Sequence, residues 1–293
     1  MAKLFTNTSV PTGFYFYDIL CGRNIRDLKG NLITAERGFS LSKQYSIAAA
    51  QGTGKSTAII QMLQGQLDAG YPLEKVFIFD TDNSQDYYRL QYLLERPIEF
   101  VTEKIQLIEG NVLEDIPRTL KKASDEYKAR KPKPVEITNI YTGEKQSMMP
   151  YHIVVVDTYT ALKCEDYDVN ASDALAVAQN QSHLQKNLKM DNIINSIENY
   201  FDGNIVVIWV THLKTAMAMG NQTVPESEFK ASGNSKKSTA SEALKRKCSQ
   251  MERWSSLDTA NTESGKHPIN LYGLKYAKDH SSVYGASVMT DRK

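Results

Sequence analysis

The sequence predicts an α/β fold with a mostly parallel central sheet, flanked by helices and carrying small hairpin insertions. Three observations predict it. Apolar runs of strand length recur at Val76–Phe79, Ile153–Val156 and Ile205–Val210, with helix-length segments between them. Each run is apolar on both faces, as a strand covered by helices on both sides must be. Each run also leads into polar or charged residues, and open α/β sheets gather ligands at the carboxyl ends of their strands.

The stretch Tyr45–Met62 organises the rest. Ser46-Ile47-Ala48-Ala49-Ala50 reads as a short buried strand, and Thr57–Leu67 repeats apolar residues at helical spacing. Between them, Gln51-Gly52-Thr53-Gly54-Lys55-Ser56-Thr57 has the composition of a phosphate-binding loop. Backbone N–H groups that wrap phosphates exclude bulky side chains at Gly52 and Gly54. Lys55 supplies positive charge to the same phosphates, the Ser56 hydroxyl is placed to ligate Mg²⁺, and the helix N-terminus adds its dipole. The pattern therefore predicts ATP and Mg²⁺ as cofactors, held by Gln51 through Thr57. Ala49 stands where the strict pattern has Gly.

Composition sets the bounds. At 293 residues the chain can bury a full core. A formal net charge of +1 predicts no global affinity for polyanions, so nucleic-acid binding would need a local basic patch. Cys21, Cys164 and Cys248 lie far apart without metal-ligand spacing and read as reduced thiols of a cytoplasmic protein. No run approaches the length of a membrane span, so no membrane partner is expected.

In chain order, residues 1–10 read as an N-terminal arm and 11–293 as one core. Val10-Pro11-Thr12-Gly13 precedes a helix containing Asp18-Ile19-Leu20, and Leu28–Ala35 reads as an insertion with a turn at Lys29-Gly30-Asn31. The strand Val76–Phe79 leads into Asp80 and Asp82, which on a strand would point the same way. A helix over Asn83–Leu94 is expected, with Ser84 as its cap. Ile105–Ile108 reads as a strand and Val112–Arg130 as a helix. Residues 131–150 read as a hairpin insertion turning at Thr142-Gly143. Ile153–Val156 ends in Asp157, which the pattern places on the Mg²⁺ side of the phosphates. A long helix is expected over Asp173–Tyr200. The strand Ile205–Val210 is followed by Thr211-His212.

Residues 214–250 read as a basic mobile loop, with Lys230, Lys236, Lys237, Lys245, Arg246 and Lys247 among Ser and Thr. Asn270–Met289 reads as a terminal strand pair with Lys278 and His280 in its turn.

Thr12-Gly13, the phosphate loop, Asp80 with Asp82, Asp157, His212, the basic loop and Lys278 stand in the order that resembles the RecA family across nearly the whole chain. His in Thr211-His212-Leu213 is similar to the UvsX-like recombinases of phages. The resemblance implies an ATPase that assembles as a helical filament on single-stranded DNA and pairs it with homologous duplex DNA, encoded by a phage and acting in the host cytoplasm. It implies Asp82 as the carboxylate that activates water, one methylene shorter than the usual Glu, and His212 as the γ-phosphate sensor. Asp86 and Arg89, beside Tyr88, would hold the adenine. Met217 and Met219 would wedge between bases while Lys230, Lys236, Lys237, Lys245 and Arg246 meet phosphates. Lys278 would reach the neighbour's nucleotide, and the arm with Phe5 would join the next protomer's sheet. Two other readings share this core: a DnaB-like hexameric helicase and a nucleotide-switched single-strand annealing protein.

Overall fold

The computed structural model describes residues 6–49, 54–165, 188–215, 229–231, 234–238, 244, 247–248, 250–257 and 283–291. The chain begins with β1 (Ser9–Val10), α1 (Tyr15–Leu20), β2 (Arg23–Arg26), β3 (Leu32–Glu36) and β4 (Phe39–Ser40). β1 pairs antiparallel with β4, and β2 with β3. The β2–β3 turn is held by Asp27, whose Oδ1 accepts from the backbone N–H of Lys29 and of Asn31, both at 2.8 Å. Gly30 there has φ of 85°, the left-handed region that glycine enters without penalty.

The core elements follow: β5 (Lys43–Ala49), α2 (Lys55–Asp68), β6 (Leu73–Asp80), α3 (Tyr87–Leu94), α4 (Ile98–Lys104), β7 (Ile105–Glu109) and α5 (Asp115–Arg130). After the hairpin β8 (Val135–Thr138) and β9 (Lys145–Met148) come β10 (Tyr151–Asp157), a helix at 188–196, a 3₁₀ segment (Ile197–Gly203) and β11 (Ile205–Thr215). The last strands are β12 (Phe229–Ala231), β13 (Asn234–Ser238), β14 (Gln250–Leu257) and β15 (Val283–Asp291).

The central sheet runs β15-β14-β5-β11-β10-β6-β7. Every pair from β14 to β7 is parallel, and only β15 is antiparallel to its neighbour β14. The fold is α/β. Strand alternation divides its interior in two. Val76 and Ile78 of β6 join Ile153 and Val155 of β10 against Ile59, Met62 and Leu63 of α2 and Leu90 and Leu94 of α3. Phe77, Phe79, Val154, Val156 and Trp209 face the other way, onto Ile116, Leu120 and Tyr127 of α5 and onto Ile194 and Ile197. Each such fully buried side chain contributes roughly 1.5–3 kcal/mol.

The structure differs from the sequence reading in several places. The helix expected at Asn83 starts at Tyr87, and its cap is Asp86, whose side chain accepts from Arg89 N–H, rather than Ser84. Ser84 Oγ and Gln85 N–H are instead taken up by the Asp80 carboxylate, so the helix starts after them. Helix α5 starts at Asp115 rather than Val112, and α4 had no counterpart in the sequence reading. Strand β11 runs on past Val210 to Thr215 and pairs antiparallel with β13, which pairs with β12. Within the expected 214–250 loop, residues 214–215, 229–231, 234–238 and 250 are therefore strand, while 244 and 247 are helical. The last strand, β15, pairs antiparallel with β14, starting at Gln250, and the first half of the expected Asn270–Met289 pair lies outside the described residues. Of the expected Asp173–Tyr200 helix, residues 188–196 are helical, and Ile197–Gly203 tightens to 3₁₀ around positive φ at Phe201 and Asp202.

Of the arm, residues 6–10 pack on their own chain. Asn7 N–H donates to the Ser147 carbonyl at 2.8 Å, and Asn7, Ser9 and Val10 are buried. The 131–150 hairpin holds this segment down. Tyr141 Oη donates to Asp18 Oδ2, and Gln146 Nε2 donates to Thr34 Oγ1 at 3.0 Å. Asp18 is buried, and its Oδ1 accepts from Thr12 N–H at 2.5 Å. Phe5 lies outside the described residues.

Candidate nucleotide site

The site lies at the carboxyl ends of β5, β11, β10 and β6. Strand β11 is inserted between β5 and β10, so the strand entering the phosphate loop and the strand ending in Asp157 are one strand apart. The register sets His212 opposite Ala49, beside the loop's entrance. His212 is half-buried.

Helix α2 begins directly at Lys55. Gly54 is its N-cap at φ of 78°, and a Cβ built there would meet nothing within 4 Å. The left-handed backbone at Gly54 favours glycine by conformation, not by crowding from the described residues. The first turn then aims two functional side chains inward. Lys55 is only 7% exposed. Ser56 Oγ donates to Asp157 Oδ2. Thr57 Oγ1 accepts from Arg89 Nη2 at 3.3 Å, which ties α3 to the same turn.

Burial governs the charges here. It pulls the Lys55 ammonium below its ordinary pKa, and the nearby carboxylates of Asp157 and Asp82 pull it part of the way back. Burial also pushes the Asp157 carboxyl up. The Ser56 hydrogen bond and the Lys55 charge oppose that rise, while the charges of Asp80 and Asp82 add to it.

Strand β6 ends at Asp80, so Asp80 and Asp82 do not project side by side from a strand as expected. Asp80 is fully buried. Its Oδ2 accepts from Gln85 N–H at 2.7 Å and its Oδ1 from Ser84 Oγ at 3.3 Å, which fixes the turn. Asp82 sits exposed in that turn. Thr81, between them, was not anticipated. Its N–H donates to the Asp157 carbonyl at 2.8 Å, and Thr158 N–H donates to its Oγ1 at 2.7 Å. These bonds lock the ends of β6 and β10 together. A lone Thr between two carboxylates carries no sequence signal for this.

The donor set fits a divalent cation that also takes phosphate oxygens. Asp157, Asp80 and Asp82 are close enough for their charges to act on one another, and Lys55 is the cation that acts on Asp157. Among the described residues no group of three or more His, Cys, Asp or Glu side chains forms a metal cage. Mg²⁺ needs no such cage, since it keeps water and binds through one or two carboxylates plus phosphate.

The structure brings together Gly54, Lys55, Ser56, Thr57, Asp82, Asp157 and Arg89, with His212 one strand from Asp157. Asp86 spends one carboxylate oxygen on capping α3, at 2.8 Å from Arg89 N. Lys230, Lys236 and Lys237 lie on β12 and β13, away from the phosphate loop in sequence. Gln51, Gly52, Thr53, Met217, Met219, Lys245, Arg246 and Lys278 lie outside the described residues.

No family model matches the chain, and no curated protein matches it. Among solved structures, the crystal structure of the RadB recombinase is similar over 75% of this chain and 78% of that chain, at 15% identity and a TM-score of 0.43. The class is defined by the sheet itself: α/β, with a lysine-bearing helix N-terminus facing carboxylates at the carboxyl ends of parallel strands. No helix among the described residues is long and apolar enough to cross a membrane.

Proposed function

We propose that the protein is a RecA-like, Mg²⁺-dependent ATPase that acts as a DNA recombinase. It forms a helical filament on single-stranded DNA and pairs that strand with homologous duplex DNA, in the manner of phage UvsX-like recombinases. The observation that carries the reading is the meeting of Lys55, Ser56 and Asp157 from two separate elements, with Asp82 beside them. Lys55 binds the β- and γ-phosphates, Ser56 and Asp157 hold Mg²⁺, and Asp82 orients the attacking water. His212 senses the γ-phosphate, and β11 carries that state directly into the ladder with β13, where Lys236 and Lys237 lie. Lys230, Lys236, Lys237, Lys245 and Arg246 meet DNA phosphates, and Met217 and Met219 meet bases. Lys278 completes the neighbour's site.

Electron microscopy with single-stranded DNA, Mg²⁺ and ATP tests this. Helical filaments that depend on both nucleotide and DNA are expected. Closed rings, or no assembly at all, would overturn it.

A further inference from the structure

A second cavity, of about 870 Å³, lies at the opposite end of the sheet, between the amino ends of β6, β7 and β10 and helix α5. That volume suits a small metabolite. Its wall is rich in cations. Lys75 from β6 and His152 from β10 are register partners, so both side chains leave the sheet on the same face. Lys104 and Lys122 face the cavity from the end of α4 and from α5. Arg118 and Arg130 also line it but are engaged by Asp115 and Glu74. Lys75 and Lys122 make no ion pair among the described residues.

His152 is the second observation. It lines the cavity yet is only 3% exposed, and its Nδ1 is buried without a hydrogen-bond partner. Its ring is stacked on Phe201 at 3.8 Å and meets the edge of Tyr127 at 5.0 Å, so it is fixed in place. A buried polar atom left unpaired destabilises the fold, which calls for a partner. Burial, with lesser contributions from Arg130 and Lys75, holds the imidazole at a pKa of about 3, so it is neutral and its Nδ1 is open to a polar partner.

We propose that this cavity binds the phosphate monoester of a polyhydroxylated molecule, a sugar phosphate or nucleoside monophosphate, through Lys75, Lys122 and His152. The lysines select an anion. A hydroxyl of the polyhydroxylated moiety, which can donate or accept, then partners the orphaned nitrogen. Sulfate has no hydroxyl to offer. Glu103, Glu126 and Gln106, also in the wall, offer acceptors to sugar hydroxyls. The proposal is independent of the nucleotide reading, because the two sites lie at opposite ends of the strands.

The test is a titration of the full chain with ribose 5-phosphate, following the imidazole Cε1–H proton resonance of His152, assigned by its loss in His152→Gln. A saturable shift is expected in the parent and equally in Lys55→Ala, with sulfate giving none. Lys75→Gln and Lys122→Gln, at half-buried and exposed positions that do not threaten the fold, should each weaken binding about tenfold. No shift at millimolar ligand overturns the proposal. So does a shift that both lysine changes leave intact, a shift that sulfate reproduces, or a shift lost in Lys55→Ala.

Discussion

Gly13 and Gly65 touch backbone to backbone: a Cβ on Gly65 would stand 2.8 Å from Gly13 Cα. The Thr12-Gly13 turn is thereby seated on the helix that follows the phosphate loop. Alanine at Gly65 would gain about 1 kcal/mol of helix propensity, but the atom it strikes is main chain and cannot swing aside. Gly65→Ala is expected to lower stability by about 1–2 kcal/mol in urea unfolding. An unchanged or higher midpoint would show that the turn can lift away from α2.

Lys55→Ala removes a cation that acts on Asp157. ATP turnover is expected to fall by about 10²-fold or more, with far-UV circular dichroism unchanged. Parent-like hydrolysis by this variant would move the active site elsewhere.

Asp157→Asn keeps the shape of the side chain and an acceptor for Ser56 but deletes the charge on the metal's side. Mg²⁺ affinity of the nucleotide-bound protein should fall about 10- to 100-fold, read as the Mg²⁺ concentration at half-maximal turnover. If that midpoint holds steady, Asp157 has no part in holding the metal.

His152 gives a pH dependence of stability with a definite sign. Its pKa is depressed from 6.5 to about 3 in the fold, chiefly by burial, so below pH 6.5 the unfolded chain binds a proton that the folded chain refuses. Stability is full above pH 6.5 and falls as pH drops toward 3, by an amount of order 5 kcal/mol at the acid limit. His152→Phe, which keeps a flat ring against Phe201, should flatten the loss between pH 6.5 and 4 in urea titrations. An equally steep loss in that variant would assign the acid sensitivity to other groups.

The basic stretch gives a salt signature. Binding of single-stranded DNA should weaken with salt at a slope of about −0.7 per phosphate neutralised. Replacing Lys236 and Lys237 together by Ala should flatten it. If the slope stays as it was, β13 is not part of the DNA surface.

Much of the core was legible because burial on both faces leaves an unbroken apolar run. β6, β10 and the first half of β11 are visible on that ground, and α2 by its spacing. Helix α4 escaped because it is only about two turns long and abuts β7 with no linker, Lys104 passing straight to Ile105. β14 escaped because Gln250-Met-Glu-Arg-Trp-Ser-Ser-Leu alternates nothing apolar with polar. Of the site, Lys55, Ser56 and Asp157 were readable from type and position. Asp80 was misjudged, because nothing in a strand-end pair of carboxylates says which one turns inward to hold the loop and which faces water. Ser84 and Asp86 are both good caps by type, and the bond of the Ser84 hydroxyl to Asp80, which leaves Asp86 to accept from Arg89 N–H, is not legible in sequence.

The fastening of the N-terminal segment by the 131–150 hairpin bears on the order in which the chain is made. Asp18 waits for Tyr141, 123 residues later, and Thr6 for Ser147, 141 residues later. At a synthesis rate of roughly 5–20 residues per second, these partners leave the ribosome about 6–30 s apart. In that interval β1 already has its β4 partner and Asp18 its bond from Thr12 N–H, while the tyrosine donor to Asp18 and the contacts to Ser147 are still missing. The fastening of residues 6–18 is thus completed only when the hairpin emerges, ahead of β10, β11, β14 and β15.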